Sequence, residues 1–276
     1  MIFARPMPFK EALKASQVRI LMPTSFGTAD LAKLDASVLE RARFSARVRS
    51  AEHLAVIDDG INDLASGQID LATARLRVKQ YLRSTGYKAE EGTAGGLQDF
   101  SSDTRIDLQL LTNVQQAQGY GWWKQGQDPD LLDAFPAQEF LRVESRIKPR
   151  QDWPQRWDAA RAATTTDGAT ESGSGRMVAL KNHPIWVALS RFGTPYEPFD
   201  FNSGMGVEDV ARADAMDLGI IERDTQIFPE DRPFNADLKA SPEIRSERLR
   251  ALLEQSGVGH FDDQGVFVVG AKGGRD

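Results

Sequence analysis

The side chains of this chain best suited to proton transfer or metal ligation near neutral pH are its three histidines, His53, His183 and His260. They lie far apart, and neither a His-Glu-x-x-His motif nor a paired Cys/His spacing occurs. His183 directly precedes Pro184, a position suited to a local hydrogen bond or a packing role. Carboxylates are adjacent at Asp58-Asp59, Glu90-Glu91 and Glu208-Asp209, but adjacency alone does not aim two carboxyl groups at one reacting atom. No Glu-x-Glu of the kind used in ADP-ribosyl transfer is found. Gly173-Ser174-Gly175 followed by Arg176 lacks the Gly-Lys-Ser/Thr of a phosphate loop. Ser203-Gly204-Met205-Gly206 lacks the glycine two residues before the serine that a nucleophile elbow needs. With no cysteine in the chain, disulfides, thiolate metal sites and cysteine nucleophiles are all excluded. The residues thus nominate no catalytic set, no metal site and no cofactor.

Charge and aromatic clusters offer more. Arg41, Arg43, Arg47 and Arg49 form one basic group. Arg142, Arg146, Lys148, Arg150, Arg156 and Arg161 form a second. Each reads either as a solvated helix face or as a contact for phosphate or an acidic protein surface. The net charge of −6 disfavours broad nonspecific binding to nucleic acid. Trp122 and Trp123 are either core anchors or an exposed partner-binding pair. The most distinctive stretch is 183–221, where Pro195, Pro198, Gly204 and Gly206 alternate with Tyr196, Phe199 and Phe201. Prolines fix the backbone, glycines free it, and rings of that size are rarely left in water. A rigid, packed loop with positive φ at Gly204 or Gly206 is expected.

The elements that must position these residues read as mainly helical. Apolar spacing predicts helices within 31–43, at 54–64 (Leu54, Ile57, Ile61, Leu64) and at 71–83, capped by Asp70, with Leu71, Ala74, Val78 and Tyr81 inward. A polar loop at 88–100 follows. Asp103 opens a helix in which Ile106, Leu110, Leu111, Val114 and Ala117 share a face, ending near Gly119 and Gly121. Pro136 suits the first turn of a short helix reaching Arg146, and Pro184 another carrying Ile185, Trp186, Leu189 and Phe192. A further helix should end at Gly219, one should start at Ser241-Pro242-Glu243, and the tail reads as a hairpin around 262–265.

Residues 162–175 are rich in Thr, Ser, Gly and Ala and read as a flexible linker. The expected organisation is therefore a helical region at 1–161, a linker at 162–175 and a small mixed α/β region at 176–276. A chain of 276 residues can bury a sizeable core, and 41% hydrophobic and 27% charged residues are ordinary for a soluble protein. The start carries no apolar run of signal-peptide length and nothing later has the length of a membrane span.

Three blocks resemble phage minor head proteins of the Mu F-like head morphogenesis family. The first runs from Phe44-Ser45-Ala46 through 51–82. The second begins at 102–108 and continues through Thr112-Asn113, Ala117 and Gly119-Tyr120-Gly121. It runs on to Pro136-Ala137, Glu139, Arg142, Pro149-Arg150, Trp153 and Arg156-Trp157. The third is His183-Pro184-Ile185-Trp186, then 195–200 and 203–207. Better-known members carry a cysteine-containing segment after the His-Pro block. Here 201–206 reads Phe-Asn-Ser-Gly-Met-Gly, so no thiol or metal property transfers.

The resemblance implies a structural virion protein, not an enzyme, that acts with portal and capsid proteins during head assembly. Some proteins of this kind contact packaged DNA. The implied location is the virion, and the host cytoplasm during assembly, with no membrane partner. A phage- or mobile-element-associated enzyme (a toxin or nucleic-acid-processing activity) and a helical nucleic-acid-binding protein are the alternative classes.

Overall fold

The computed structural model describes residues 10–17, 19–25, 27, 31, 42–43 and 45–230, together with the backbone of short strands at 239–240, 259–261 and 267–269. It is helix-rich with small sheets, and among the described residues no helix is long and apolar enough to cross a membrane. The chain divides into two compact units. Unit 1 comprises Met1–Pro8, Leu13–Leu111 and Pro233–Asp276; unit 2 comprises Phe9–Ala12 and Thr112–Arg232.

Unit 1 is built on a helical hairpin. Helix α1 spans Lys10–Gln17, and a parallel pair joins β1 (Ile20–Leu21) to β2 (Ala42–Arg43). Helix α2 (Ala51–Ala65) is capped by Ser50, whose hydroxyl accepts from the His53 N–H, and α3 (Leu71–Ser84) by Asp70, which accepts from the Thr73 N–H at 2.7 Å. Leu54, Ile57 and Ile61 of α2 are buried, as are Ala74, Val78 and Leu82 of α3 and Ile106 and Leu110 of the next helix. Leu82 takes the inward place expected of Tyr81, whose hydroxyl instead lies 3.2 Å from Ser50 Oγ. Gly60, buried inside α2, faces Leu110 and Ala74, and a β-carbon there would make ordinary contact with both.

The helix expected within 31–43 lies mostly outside the described residues, and its end is a strand. Arg43 there is fully buried. Its Nε donates to Asp58 at 2.5 Å and its Nη2 to the carbonyl and hydroxyl of Ser16, both at 3.0 Å, tying β2 to α1 and α2. This arginine of the first basic group is a core ion pair and not part of a solvated face.

Helix α4 runs from Asp103 to Gln125, and the unit division falls inside it. The expected stop at Gly119 and Gly121 does not occur, because Gly119 serves packing: any β-carbon there would collide with the Glu197 backbone. Leu111, placed inward by periodicity, is 42% exposed, and Thr112 is buried instead.

Unit 2 continues with α5 (Pro129–Ala134), β3 (Ala137–Arg142), α6 (Trp153–Thr164), a 3-10 turn (Ser172–Ser174), β4 (Val178–Leu180), α7 (Ile185–Leu189), β5 (Met205–Val210) and α8 (Arg212–Asp217). The helix expected from Pro136 to Arg146 is strand β3. It is central in an antiparallel sheet of order β4-β3-β5, and pairing on both edges overrides the local helix signal. Its two faces separate by the period of two. Phe140 joins Ala179, Met205 and Val207 against α6 and α7, whereas Ala137 joins Val178, Leu180 and Val210 against α8. Glu139 lies directly opposite Glu208, and the like charge is offset by Arg176, which holds Glu139 at 2.6 Å. The stretch 162–175, expected to be a linker, lies inside unit 2 and is fastened to it. Trp157 Nε1–H donates to the Thr170 carbonyl at 2.8 Å, and Thr170 N–H to the Val178 carbonyl at 2.8 Å.

The helix start at Ser241-Pro242-Glu243 lies outside the described residues. Strands β7 (Gly259–Phe261) and β8 (Phe267–Val269) form the expected hairpin, joined on the far edge of β8 by β6 (Lys239–Ala240).

His53 carries a testable consequence of unit 1 packing. It is buried, its ring 5.7 Å from those of Tyr81 and Phe100. Burial first, and the Arg105 cation second, push its pKa down to about 4. A depressed pKa contributes stability that is complete above pH 6.5 and is lost as pH falls through 4, by on the order of a few kcal/mol. Melting temperatures between pH 7 and 4 should therefore fall more steeply in the native protein than in His53→Phe. Equal slopes would show that His53 is not held neutral by the fold.

Candidate functional site

Unit 2 brings the predicted aromatic and arginine residues together around one carboxylate. Asp200 is buried, and its Oδ2 lies 2.6 Å from Arg150 Nη1 and 2.9 Å from Arg156 Nη1. Its Oδ1 accepts from the Phe201 N–H at 2.7 Å, with Arg191 Nη1 at 3.9 Å. A buried carboxylate is tolerated when its lone pairs are filled in this way. The guanidiniums also grip backbone. Arg142 donates to the carbonyls of Ser203 (3.0 Å) and Arg150 (3.1 Å), and Arg150 to that of Phe201 (3.1 Å). Arg156 lies 3.9 Å over the Trp153 ring, and Arg191 5.5 Å over Phe201. Arg142, Arg150 and Arg156 are therefore internal fasteners of the loop. Arg146 pairs with Glu144, and Lys148 is exposed. Arg191 and Asp200 were not singled out from sequence as site residues, although Asp200 stands in the stretch 195–200 that carries the resemblance.

Behind this hub sits the aromatic core. Trp157, Trp186, Phe140 and Phe199 are almost wholly buried, with edge-on contacts of 5.5 Å between Trp157 and Trp186 and 5.2 Å between Phe140 and Phe199. Trp186 Nε1–H donates to the Leu180 carbonyl at 2.7 Å. His183 is buried and bonded on both ring nitrogens. Its Nδ1 accepts the Ile185 N–H, so the proton resides on Nε2, which donates to the Thr166 carbonyl, both at 3.0 Å. Burial is the first cause that holds its pKa below the ordinary value. This is a structural histidine that starts α7.

The loop from Pro195 to Gly206 closes over α4. Pro195, Tyr196, Pro198 and Phe199 are buried, Phe201 is half-buried, and the Glu197–Pro198 peptide is cis. Gly204 has φ +68, and a β-carbon there would meet the Glu144 carbonyl at 2.5 Å. Gly206 is needed for a different reason: a side chain would strike the Glu197 carboxyl and Val143. The Glu197 Oε1 accepts the Val207 N–H at 2.7 Å. Burial first, and nearby Glu144 as well, raise its pKa above the usual carboxylate value, against the opposing pull of the Val207 N–H.

A cleft of about 800 Å³ opens beside this loop, lined by α4 from Gln115 to Gln125, by Gly126 just after it, by Pro195–Pro198 and by β5. The two tryptophans part company here: Trp123 is buried against Tyr120 and Tyr196, whereas Trp122 is 56% exposed on the cleft wall. Lys181, nearly buried, reaches Asp209 at 3.0 Å on the same wall. Sequence reading missed Glu197, Lys181 and Asp209, since only strand pairing brings them together. Among the described residues, no cluster of three or more His, Asp or Glu side chains could hold a metal ion. No family model, curated protein or solved structure matches the chain.

Two outcomes follow from this packing. A raised carboxyl pKa contributes stability that is complete below about pH 4.5 and is lost as pH rises through the folded value. Glu197→Gln keeps an acceptor for Val207, so it should melt higher than the native protein at pH 7–8 and lose that advantage below pH 4.5. A lower melting point at pH 8 would contradict the assignment. Gly119→Ala should destabilise by about 1–3 kcal/mol in urea, through overpacking against the Glu197 backbone. An unchanged midpoint would show that this contact gives way freely.

Proposed function

We propose that the protein is a structural minor head protein of a phage, acting with portal and capsid proteins during virion assembly. One observation carries this reading: residues from the second and third blocks of the resemblance, remote in sequence, meet in one core and one hub. Arg142, Trp153, Arg156 and Trp157 of one block join Trp186, Phe199, Asp200 and Ser203 of the other. Arginines that could have formed a reactive or phosphate-gripping set are directed at backbone carbonyls and at Asp200. That use suits a rigid assembly part, with a helical first region and a mixed α/β second region presenting surfaces to neighbours.

The test is co-purification from cells producing the particle, using a tagged chain. Portal protein and assembled heads should be recovered with it. Reversing Arg146 and Lys148, which do not touch Asp200, should lower portal recovery severalfold while the protein stays folded. Recovery of neither portal nor heads with the native chain would overturn the proposal. Equal recovery with the reversed variant would remove these two cations from the interface.

A further inference from the structure

Among the described residues, strand β5 pairs with β3 along one edge only, since the sheet order is β4-β3-β5. The Val207 N–H points away from β3, because it is taken by the Glu197 carboxyl. By the alternation of a strand, the carbonyl of Val207 and both main-chain groups of Asp209 face the same way. This outer edge opens into the cleft: Met205, Val207, Glu208 and Asp209 all line it. Residues from both faces of a strand share one cleft when the cleft follows the strand's edge. Exposed apolar side chains complete the cleft wall. Trp122, Leu131 and Val143 are 56%, 41% and 47% exposed, and all three line the cleft. Trp123, nine-tenths buried on that wall, has an indole N–H without an acceptor among the described residues. Charge on the lining is unequal. Glu144, Glu197, Glu208 and Asp209 face Arg146 and Lys181, which already pair with Glu144 and Asp209, and Asp200 is held by its own arginines. Glu208 is the carboxylate of this lining left for an incoming cation, because the Glu197 carboxyl holds the Val207 N–H.

We propose that this cleft docks an extended, basic segment of a partner protein, which adds as a strand to the free edge of β5. Main-chain bonds to the Val207 carbonyl and to the N–H and carbonyl of Asp209 supply the extended geometry, the Val207 N–H staying with Glu197. Apolar side chains of the segment lie against Trp122, Leu131 and Val143, and its lysine or arginine side chains reach Glu208. A cleft of about 800 Å³ accommodates a segment of several residues. Exposed carboxylates on the strand also discourage a second copy from pairing there, as charged edges do. The inference does not depend on the virion reading, since it rests on the edge, the wall and the charge.

The test uses the full chain and three capped hexapeptides: alternating lysine and valine, alternating glutamate and valine, and the lysine form N-methylated at alternate backbone nitrogens. Calorimetry should show the lysine peptide binding 1:1 and at least tenfold tighter than the other two, with slowed amide exchange at Asp209. Glu208→Lys lies opposite Glu139 and removes a like-charge pair, so the variant should fold as well as the native chain and bind the lysine peptide severalfold more weakly. Equal binding of the methylated peptide would reduce the interaction to charge alone and overturn strand addition. Equal binding of the glutamate peptide, or none by any peptide, would overturn the basic occupant. Self-association of the free chain that protects Asp209 would show that the edge belongs to a second copy.

Discussion

The arrangement of unit 2 depends on burying the charge of Asp200. A carboxylate taken out of water must have its lone pairs filled and its charge balanced, and here Arg150, Arg156 and the Phe201 N–H do so with Arg191 close by. Those cations come from the segment after β3, from α6 and from just beyond α7, so one acid ties the stretch 150–156 to the stretch 191–201, remote from it in sequence. The remaining donors of Arg150 and Arg156 hold the carbonyls of Phe201 and Leu189, Arg142 holds that of Ser203, and the loop between α7 and β5 is fastened by its backbone. Cationic rings of charge over Trp153 and Phe201 then connect the hub to the aromatic core.

With the loop held, the rest of the geometry follows. Glu197 is placed where its backbone meets Gly119 of α4 and its carboxyl meets the edge of β5 at Val207. Both contacts leave no room for a side chain at Gly119 or Gly206, which explains why a helix of 23 residues tolerates glycine in its interior. The cleft is the space left beside this contact, and its chemistry is set by what the loop and strand present to it.

Much of this was legible in the sequence where the signal was local. The cap at Asp70, the stripe of Leu54, Ile57 and Ile61, and the turn at Gly219 all depend on neighbours a few residues away. The packed loop and the positive φ of Gly204 were legible too, because proline, glycine and large rings each restrict the answer. The failures share one cause. Strand β3, the continuation of α4 past Gly119, the buried Arg43 and the fastening of 162–175 are all decided by contacts remote in sequence. Periodicity cannot see Glu197 behind Gly119, nor the two partner strands that make an Ala-Gln-Glu-Phe-Leu-Arg run extended. The arginine cluster was found by composition, but its direction, inward to Asp200, was not.

A single stability measurement bears most directly on the claim that Asp200 organises unit 2. All five tryptophans lie in that unit, so their fluorescence reports its unfolding separately from unit 1. Asp200→Asn is nearly isosteric and leaves three guanidiniums around a neutral amide. Urea unfolding followed by tryptophan emission should show a loss of about 1–3 kcal/mol relative to the native chain, below the usual cost of stranding a buried charge because the guanidiniums left behind are 28–44% exposed. A loss under about 1 kcal/mol, with the same emission spectrum in the folded state, would contradict the account, since the loop would then be held by its aromatic packing without the charge.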